Sequence, residues 1–239
     1  MMHAHGWVRA LLSIGALICI LVLYWGVRFV HTLGVSKRLT EQAVPYQNLS
    51  IDHTRTLLVL GDSTAVGVGA SVPDESLAGL IAARIGATYT ENHAVSGAVV
   101  KDLRGQIAQA MLPAYDLVLV QIGANDIVRF HSARTTRIEL AAYLGTLPKA
   151  SKLVLISAGD VGAATLMPPP LRPFYTKLNR AYHDEFARSF PDSYVNLATG
   201  PGNELFRERP DIYLAADHFH PSPAGYKLWF DAIAPRLAE

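Results

Sequence analysis

Residues 57–64 read Leu57-Leu58-Val59-Leu60-Gly61-Asp62-Ser63-Thr64. Four apolar residues in a row, with no polar residue alternating between them, mark a strand buried on both faces, as in parallel sheets. The strand stops at Gly-Asp-Ser. Further short apolar runs lie at 88–95, 117–122, 153–157 and 193–197, and the first run itself extends over 56–60. Between them, residues 76–85, 101–112, 135–147 and 174–190 carry apolar residues at helical spacing. A last helix is expected over 222–237, with Ser222 as N-cap and Pro223 at the first helical position. Five strand–helix repeats predict an α/β fold, a three-layer α/β/α sandwich around a flavodoxin-like five-stranded parallel sheet.

In such sheets ligands sit beyond the C-terminal ends of the strands. Three blocks follow strands directly: Gly61-Asp62-Ser63, Ser96-Gly97 and Gly123-Ala124-Asn125. They are expected to meet on one edge. Ser63 at a strand end suits an exposed nucleophile, although Gly, Asp and Ser also make ordinary turns. The block is not a Gly-x-Ser-x-Gly elbow, since Ala65 stands at the last position. Gly67-Val68-Gly69 is a weak phosphate-loop signal with no Lys-Ser/Thr after it. Near the other end, Asp217-His218-Phe219-His220-Pro221-Ser222 places an acid three residues before a histidine. Asp217 and His220 are the candidate orienting acid and base. His218 competes for the base role, and the His-x-His pair beside Asp217 also raises a metal site. His93 and His131 read as ordinary surface or loop histidines.

These four blocks, in this order, resemble the SGNH (GDSL-like) hydrolases. The name records catalytic Ser, Gly, Asn and His, which match Ser63, Gly97, Asn125 and His220. The resemblance spans roughly residues 55–235. It implies an oxyanion hole built from the backbone N–H of Ser63, that of Gly97 and the side chain of Asn125. Asp126, the last residue of Gly123-Ala124-Asn125-Asp126, is expected to serve the turn structurally. Thr64 departs from the better-known version of the first block, which has Leu. The resemblance implies a carboxylic ester hydrolase, an esterase or lipase acting on small-molecule, lipid or sugar esters, with no cofactor and no metal. The alternatives are an acyltransferase or deacetylase acting on envelope sugars, and a non-catalytic envelope-binding module. Residues 160–173, with Pro168-Pro169-Pro170, are expected to shape a loop beside the site.

Half of the 239 residues are hydrophobic and 17% are charged. Part of that imbalance comes from residues 10–27, which hold no charge and lie between Arg9 and Arg28. With Trp7 and Val8 the stretch approaches the roughly 20 residues that cross a bilayer. It reads as a single-pass anchor within residues 1–30. A cleaved signal peptide is the alternative, but no small-residue cleavage site follows. Residues 31–54 read as a linker without sustained periodicity, and 55–239 as the hydrolase domain. The balance of Arg and Lys would put the domain in the cytoplasm by a narrow margin. The resemblance favours an extracytoplasmic domain. A net charge of +1 gives no electrostatic case for nucleic acid. The only cysteine, Cys19, lies in the apolar run, so no intrachain disulfide and no cysteine nucleophile are available to the domain.

Overall fold

The structure, a computed structural model, describes residues 2–199 and 201–237. Met1 and residues 238–239, at the outer limits of the expected anchor and domain, lie outside the described residues. The elements run α1 (Met2–Gln42), β1 (Thr56–Gly61), α2 (Ser63–Val66), α3 (Leu77–Ile85), β2 (Tyr89–Asn92), α4 (Leu103–Ile107), β3 (Ala114–Gln121), α5 (Ala124–Val128), α6 (Ala133–Leu144), β4 (Lys149–Ile156), α7 (Arg172–Ser189), β5 (Tyr194–Val195), α8 (Pro201–Glu208), α9 (Pro210–Tyr213) and α10 (Pro223–Leu237).

The five strands form one parallel sheet in the order β2-β1-β3-β4-β5. This is the flavodoxin-like order, with its switch point between β1 and β3. Side chains alternate across the sheet and both faces are covered. Leu58 and Leu60 join a cluster with Val118, Leu140, Tyr182 and Phe186 on the α4–α7 face. Leu57 and Val59 join Leu77, Ile81, Tyr226 and Trp229 on the face covered by α3 and α10. Burial on both faces is why β1 reads as an unbroken apolar run.

The boundaries differ from the sequence reading where the core ends. β4 begins at Lys149 rather than 153, because its first three residues lie exposed beyond the core and carry no hydropathic signal. The helix expected over 101–112 shrinks to α4 plus a 3₁₀ turn at Val100–Asp102. Gly105 weakens its interior. β5 keeps only two residues, a short edge strand.

The expected linker is the main difference. α1 continues without interruption to Gln42. Its second half is partly covered at Trp25, Arg28, Thr32, Val35 and Leu39, a stripe at spacings of three and four, and on the neighbouring side it lines a cleft of the domain. Thr32 is buried and its hydroxyl donates to the Arg28 carbonyl at 2.8 Å. A packed face built partly of hydroxyls hides the apolar period. After Gln42 the chain passes the outer edge of β2. There Asn48 and Thr90 exchange backbone hydrogen bonds of 3.0 and 2.7 Å, covering the last exposed edge on that side.

β1 ends in a close approach. A Cβ at Gly61 would stand 1.9 Å from the Gln121 carbonyl oxygen, and φ there is +147°. Gly61→Ala is expected to cost about 3 kcal/mol and lower Tm by roughly 6–12 °C. Thermal unfolding checks this, and a melting curve that superimposes on the wild type would refute it.

Candidate active site

Ser63 is delivered by the turn that leaves β1. The Gln106 side chain grips the Gly61 peptide units from both sides. Its Oε1 accepts from the Gly61 N–H at 2.7 Å, and its Nε2 donates to the Gly61 carbonyl at 2.8 Å. Asp62 then caps α2, its Oδ1 accepting from the Thr64 N–H at 3.0 Å and the Thr64 hydroxyl at 2.7 Å. A cap of this kind contributes about 1 kcal/mol. The threonine that departs from the familiar motif therefore serves the turn that carries Ser63. Burial raises the Asp62 carboxyl above its ordinary value, and the Thr64 hydrogen bonds oppose that rise.

The other half of the site comes from the loop before α10. His220 Nδ1 stands 2.5 Å from Asp217 Oδ2, and His220 Nε2 stands 2.8 Å from Ser63 Oγ. Asp217 Oδ1 accepts the backbone N–H groups of Phe219 and His220, each at 3.0 Å. Burial alone would raise the Asp217 carboxyl. The hydrogen bond and positive charge of His220, with the two backbone N–H groups, outweigh it and hold the group down at about 2. An ionised Asp217 accepts only, so His220 Nδ1 carries the hydrogen. Nε2 is left to accept the Ser63 hydroxyl proton. His218 makes no hydrogen bond to Ser63 or Asp217 among the described residues. It turns the loop in a left-handed conformation (φ +56°).

Gly69 couples the two halves. A Cβ there would lie 2.2 Å from the Pro221 carbonyl oxygen and 3.3 Å from His220 Cβ. The Gly67-Val68-Gly69 stretch is thus where the loop after Ser63 packs against the loop that carries His220. Tyr226 of α10 reinforces the junction by donating to the Val68 carbonyl at 2.8 Å.

Gly97 and Asn125 face the same cleft as Ser63 and His220. The backbone N–H groups of Ser63 and Gly97 have no protein acceptor among the described residues. Asn125 Nδ2 donates one hydrogen to the Ala98 carbonyl at 3.0 Å. Its second amide hydrogen has no protein partner among the described residues. The Asp126 carboxylate meets its own backbone N–H and partners beyond the turn as well. Its Oδ2 accepts the Val100 N–H at 3.0 Å, and its Oδ1 lies 2.9 Å from His131 Nδ1, which gives that histidine a structural partner. Burial raises the Asp126 carboxyl, with the His131 hydrogen bond opposing. Arg129 Nη2 donates to the Gly97 carbonyl at 3.0 Å. The sequence reading missed Gln106 and Arg129, which act through backbone groups and leave no motif. Among the described residues no three His, Cys, Asp or Glu side chains gather as a metal site.

The model of the GDSL-like lipase/acylhydrolase family matches residues 59–228. The chain is 29% identical over 188 residues to a GDSL-like esterase of Mycobacterium tuberculosis, the match covering 74% of this chain. It spans 60% of the length of that relative. An acetylxylan esterase from Geobacillus stearothermophilus superimposes with a TM-score of 0.54 at 19% identity, covering 80% of this chain and 97% of its own. A structure of TesA gives 0.52 at 21% identity, covering 77% and 98%. At these identities the two structures show the fold alone.

Asp217 sets an acid limit. Its folded-state pKa lies below the ordinary value of 3.8. The stability it contributes is therefore fully present above about pH 4 and is lost as pH falls through about 2. Asp217→Asn is expected to flatten the loss of stability between those values, read as urea midpoints across the range. An acid limb equally steep in both proteins would contradict this origin.

Proposed function

Since the chain belongs to the GDSL-like lipase/acylhydrolase family, we propose that it hydrolyses carboxylic esters with Ser63 as nucleophile, His220 as base and Asp217 as orienting acid. The observation that carries this reading is the hydrogen-bonded line from Asp217 through His220 to Ser63. Ser63 Oγ attacks the ester carbonyl carbon as His220 Nε2 takes its proton. The carbonyl π electrons move onto oxygen. That oxyanion is met by the Ser63 and Gly97 N–H groups and the free amide hydrogen of Asn125. Such preorganised donors act on charge that develops only in the transition state. His220 returns its proton to the leaving alcohol as the acyl–oxygen bond breaks. A water, deprotonated by the same histidine, then attacks the acyl-enzyme and releases the acid. Asp217 stays ionised throughout, which favours the imidazolium at each step.

Ser63→Ala is expected to lower kcat/KM for a short p-nitrophenyl ester by at least about 10⁴-fold with circular dichroism unchanged. Asn125→Ala should lose roughly 10²–10³ in kcat with a modest change in KM. Ser63→Ala turnover near wild type would remove Ser63 from the mechanism. An Asn125→Ala effect confined to KM would assign that side chain to ground-state binding.

The same reading places the enzyme at a membrane. Among the described residues one helix, Leu11–Gln42, is long and apolar enough to cross, with a mean hydropathy of 2.0 in its most apolar window and none of that window buried. α1 holds 41 residues, about 60 Å at 1.5 Å per residue, twice the hydrocarbon thickness. Residues 10–27 would span the bilayer and the remainder of α1 would stand outside it, with the catalytic domain on the extracytoplasmic side. The protein is expected in the membrane fraction with residues 1–30 intact by mass, and its domain open to protease in spheroplasts. A mature chain starting near residue 30 would make the segment a signal peptide, and full protection would reverse the orientation.

A further inference from the structure

The cleft that contains Ser63 and His220 has a volume of about 340 Å³, and one of its walls is not part of the α/β domain. Phe29, Leu33, Ser36 and Thr40 of α1 line it. Their spacing of four, three and four puts all of them on one side of the helix. They are ordered by polarity. Phe29 and Leu33 lie toward the uncharged run, and Ser36 and Thr40 lie away from it. Leu166, Met167 and Phe219 add apolar surface to the same cleft.

The height of this wall follows from helix geometry. Phe29 comes two residues after Val27, the last residue of the uncharged run, so it stands about 3 Å beyond it; Thr40 stands about 20 Å beyond. The headgroup layer adds roughly 5–8 Å to each side of the hydrocarbon. The apolar end of the cleft thus opens within the headgroup layer, and its polar end lies in water. The domain also exposes apolar side chains around the start of α7. Arg172 at the start of α7 is lowered from its ordinary value by burial and then by the positive charges of Arg28 and Arg207. Beside Arg172, Leu171 and Phe174 are exposed, and the exposed Phe130 ring lies 6.0 Å from Phe174.

We propose that the membrane-proximal half of α1 is the acyl-binding wall of the active site, and that the substrate is an ester with a long apolar acyl chain drawn from the bilayer. The proposal rests on the hydrolase reading of Ser63. The ester group enters the cleft first, its carbonyl reaching Ser63 while the acyl chain trails along Leu33 and Phe29 into the membrane. Each methylene kept against that wall is spared exposure to water. A chain longer than the cleft need not leave the bilayer.

The test uses the full-length protein in lipid nanodiscs, with p-nitrophenyl decanoate and p-nitrophenyl acetate as probes. The wild type is expected to favour decanoate by at least about tenfold in kcat/KM. Leu33→Trp, which fills the cleft, should lower the decanoate-to-acetate ratio about tenfold. Leu33→Gln, which keeps the volume and removes apolar contact, should lower it in the same direction. His31→Trp, on the exposed opposite side of α1, should leave the ratio within twofold. Labelling of Ser63 by a fluorophosphonate is measured in parallel. Labelled protein whose ratio is unmoved by both Leu33 variants, or a wild type that prefers acetate, overturns the acyl wall and leaves the hydrolase standing. A wild type that neither labels nor turns over either ester overturns both.

Discussion

The contact between Gly61 and the Gln121 carbonyl constrains everything downstream of it. β1 and β3 are neighbours at the switch point of the sheet, where the connections depart in opposite directions. At that point β1 must end with its backbone pressed on β3. Any side chain at 61 would meet the Gln121 oxygen. The same oxygen accepts the Asp62 N–H at 3.0 Å. The turn that presents Ser63 is therefore fixed by backbone groups of both strands and by the Gln106 amide. The candidate nucleophile owes its position to the sheet rather than to loop flexibility. This suits a group that must meet a carbonyl carbon and three oxyanion donors with little freedom to adjust.

The candidate base comes from a different part of the chain. Ser63 and His220 are 157 residues apart, and the hydrogen bond between them closes only if the last helix packs correctly. α10 does this from below the sheet end, through Tyr226 and Trp229 in the core. The close approach at Gly69 does it from above. Asp217 adds a local device, since one carboxylate oxygen accepts two backbone N–H groups while the other meets the imidazole. The aspartate thus orders its own loop and orients the histidine in one arrangement. That explains why an acid three residues before the histidine suffices, with no further element to position it.

The parts legible in the sequence are those where chemistry and burial coincide in a few consecutive residues. The β1 run, the Gly-Asp-Ser turn and the Asp217–His220 spacing all have this property. So does the alternation of strands and helices that sets the layer order. What stayed illegible acts across the chain. Gln106 looks like any helix residue until the fold brings it to Gly61, nine residues beyond the nearest motif residue and on another element. Arg129 looks like a surface charge until its guanidinium meets the Gly97 carbonyl. The early residues of β4 are exposed, so hydropathy had nothing to register. α1 was the largest gap. Its second half mixes Thr32, Gly34, Val35 and Ser36, which average to a linker when read for hydropathy.

That mixed composition has a physical reason once the helix is seen in place. A helix buried in an apolar core would carry an apolar stripe. This one lies partly over the cleft that holds Ser63 and His220 and continues the uncharged run without a break. Its composition follows those surroundings turn by turn. Residues 10–27 carry no charge, Phe29 and Leu33 present apolar side chains to the cleft, and Ser36 and Thr40 add hydroxyls to it. A flexible tether would let the domain drift from the bilayer surface. A continuous helix that packs on the domain fixes the height of Ser63 relative to the apolar run, because every turn adds the same 5.4 Å. The uncharged run and the cleft wall thus belong to one continuous element, and a change in the register of α1 would move both together.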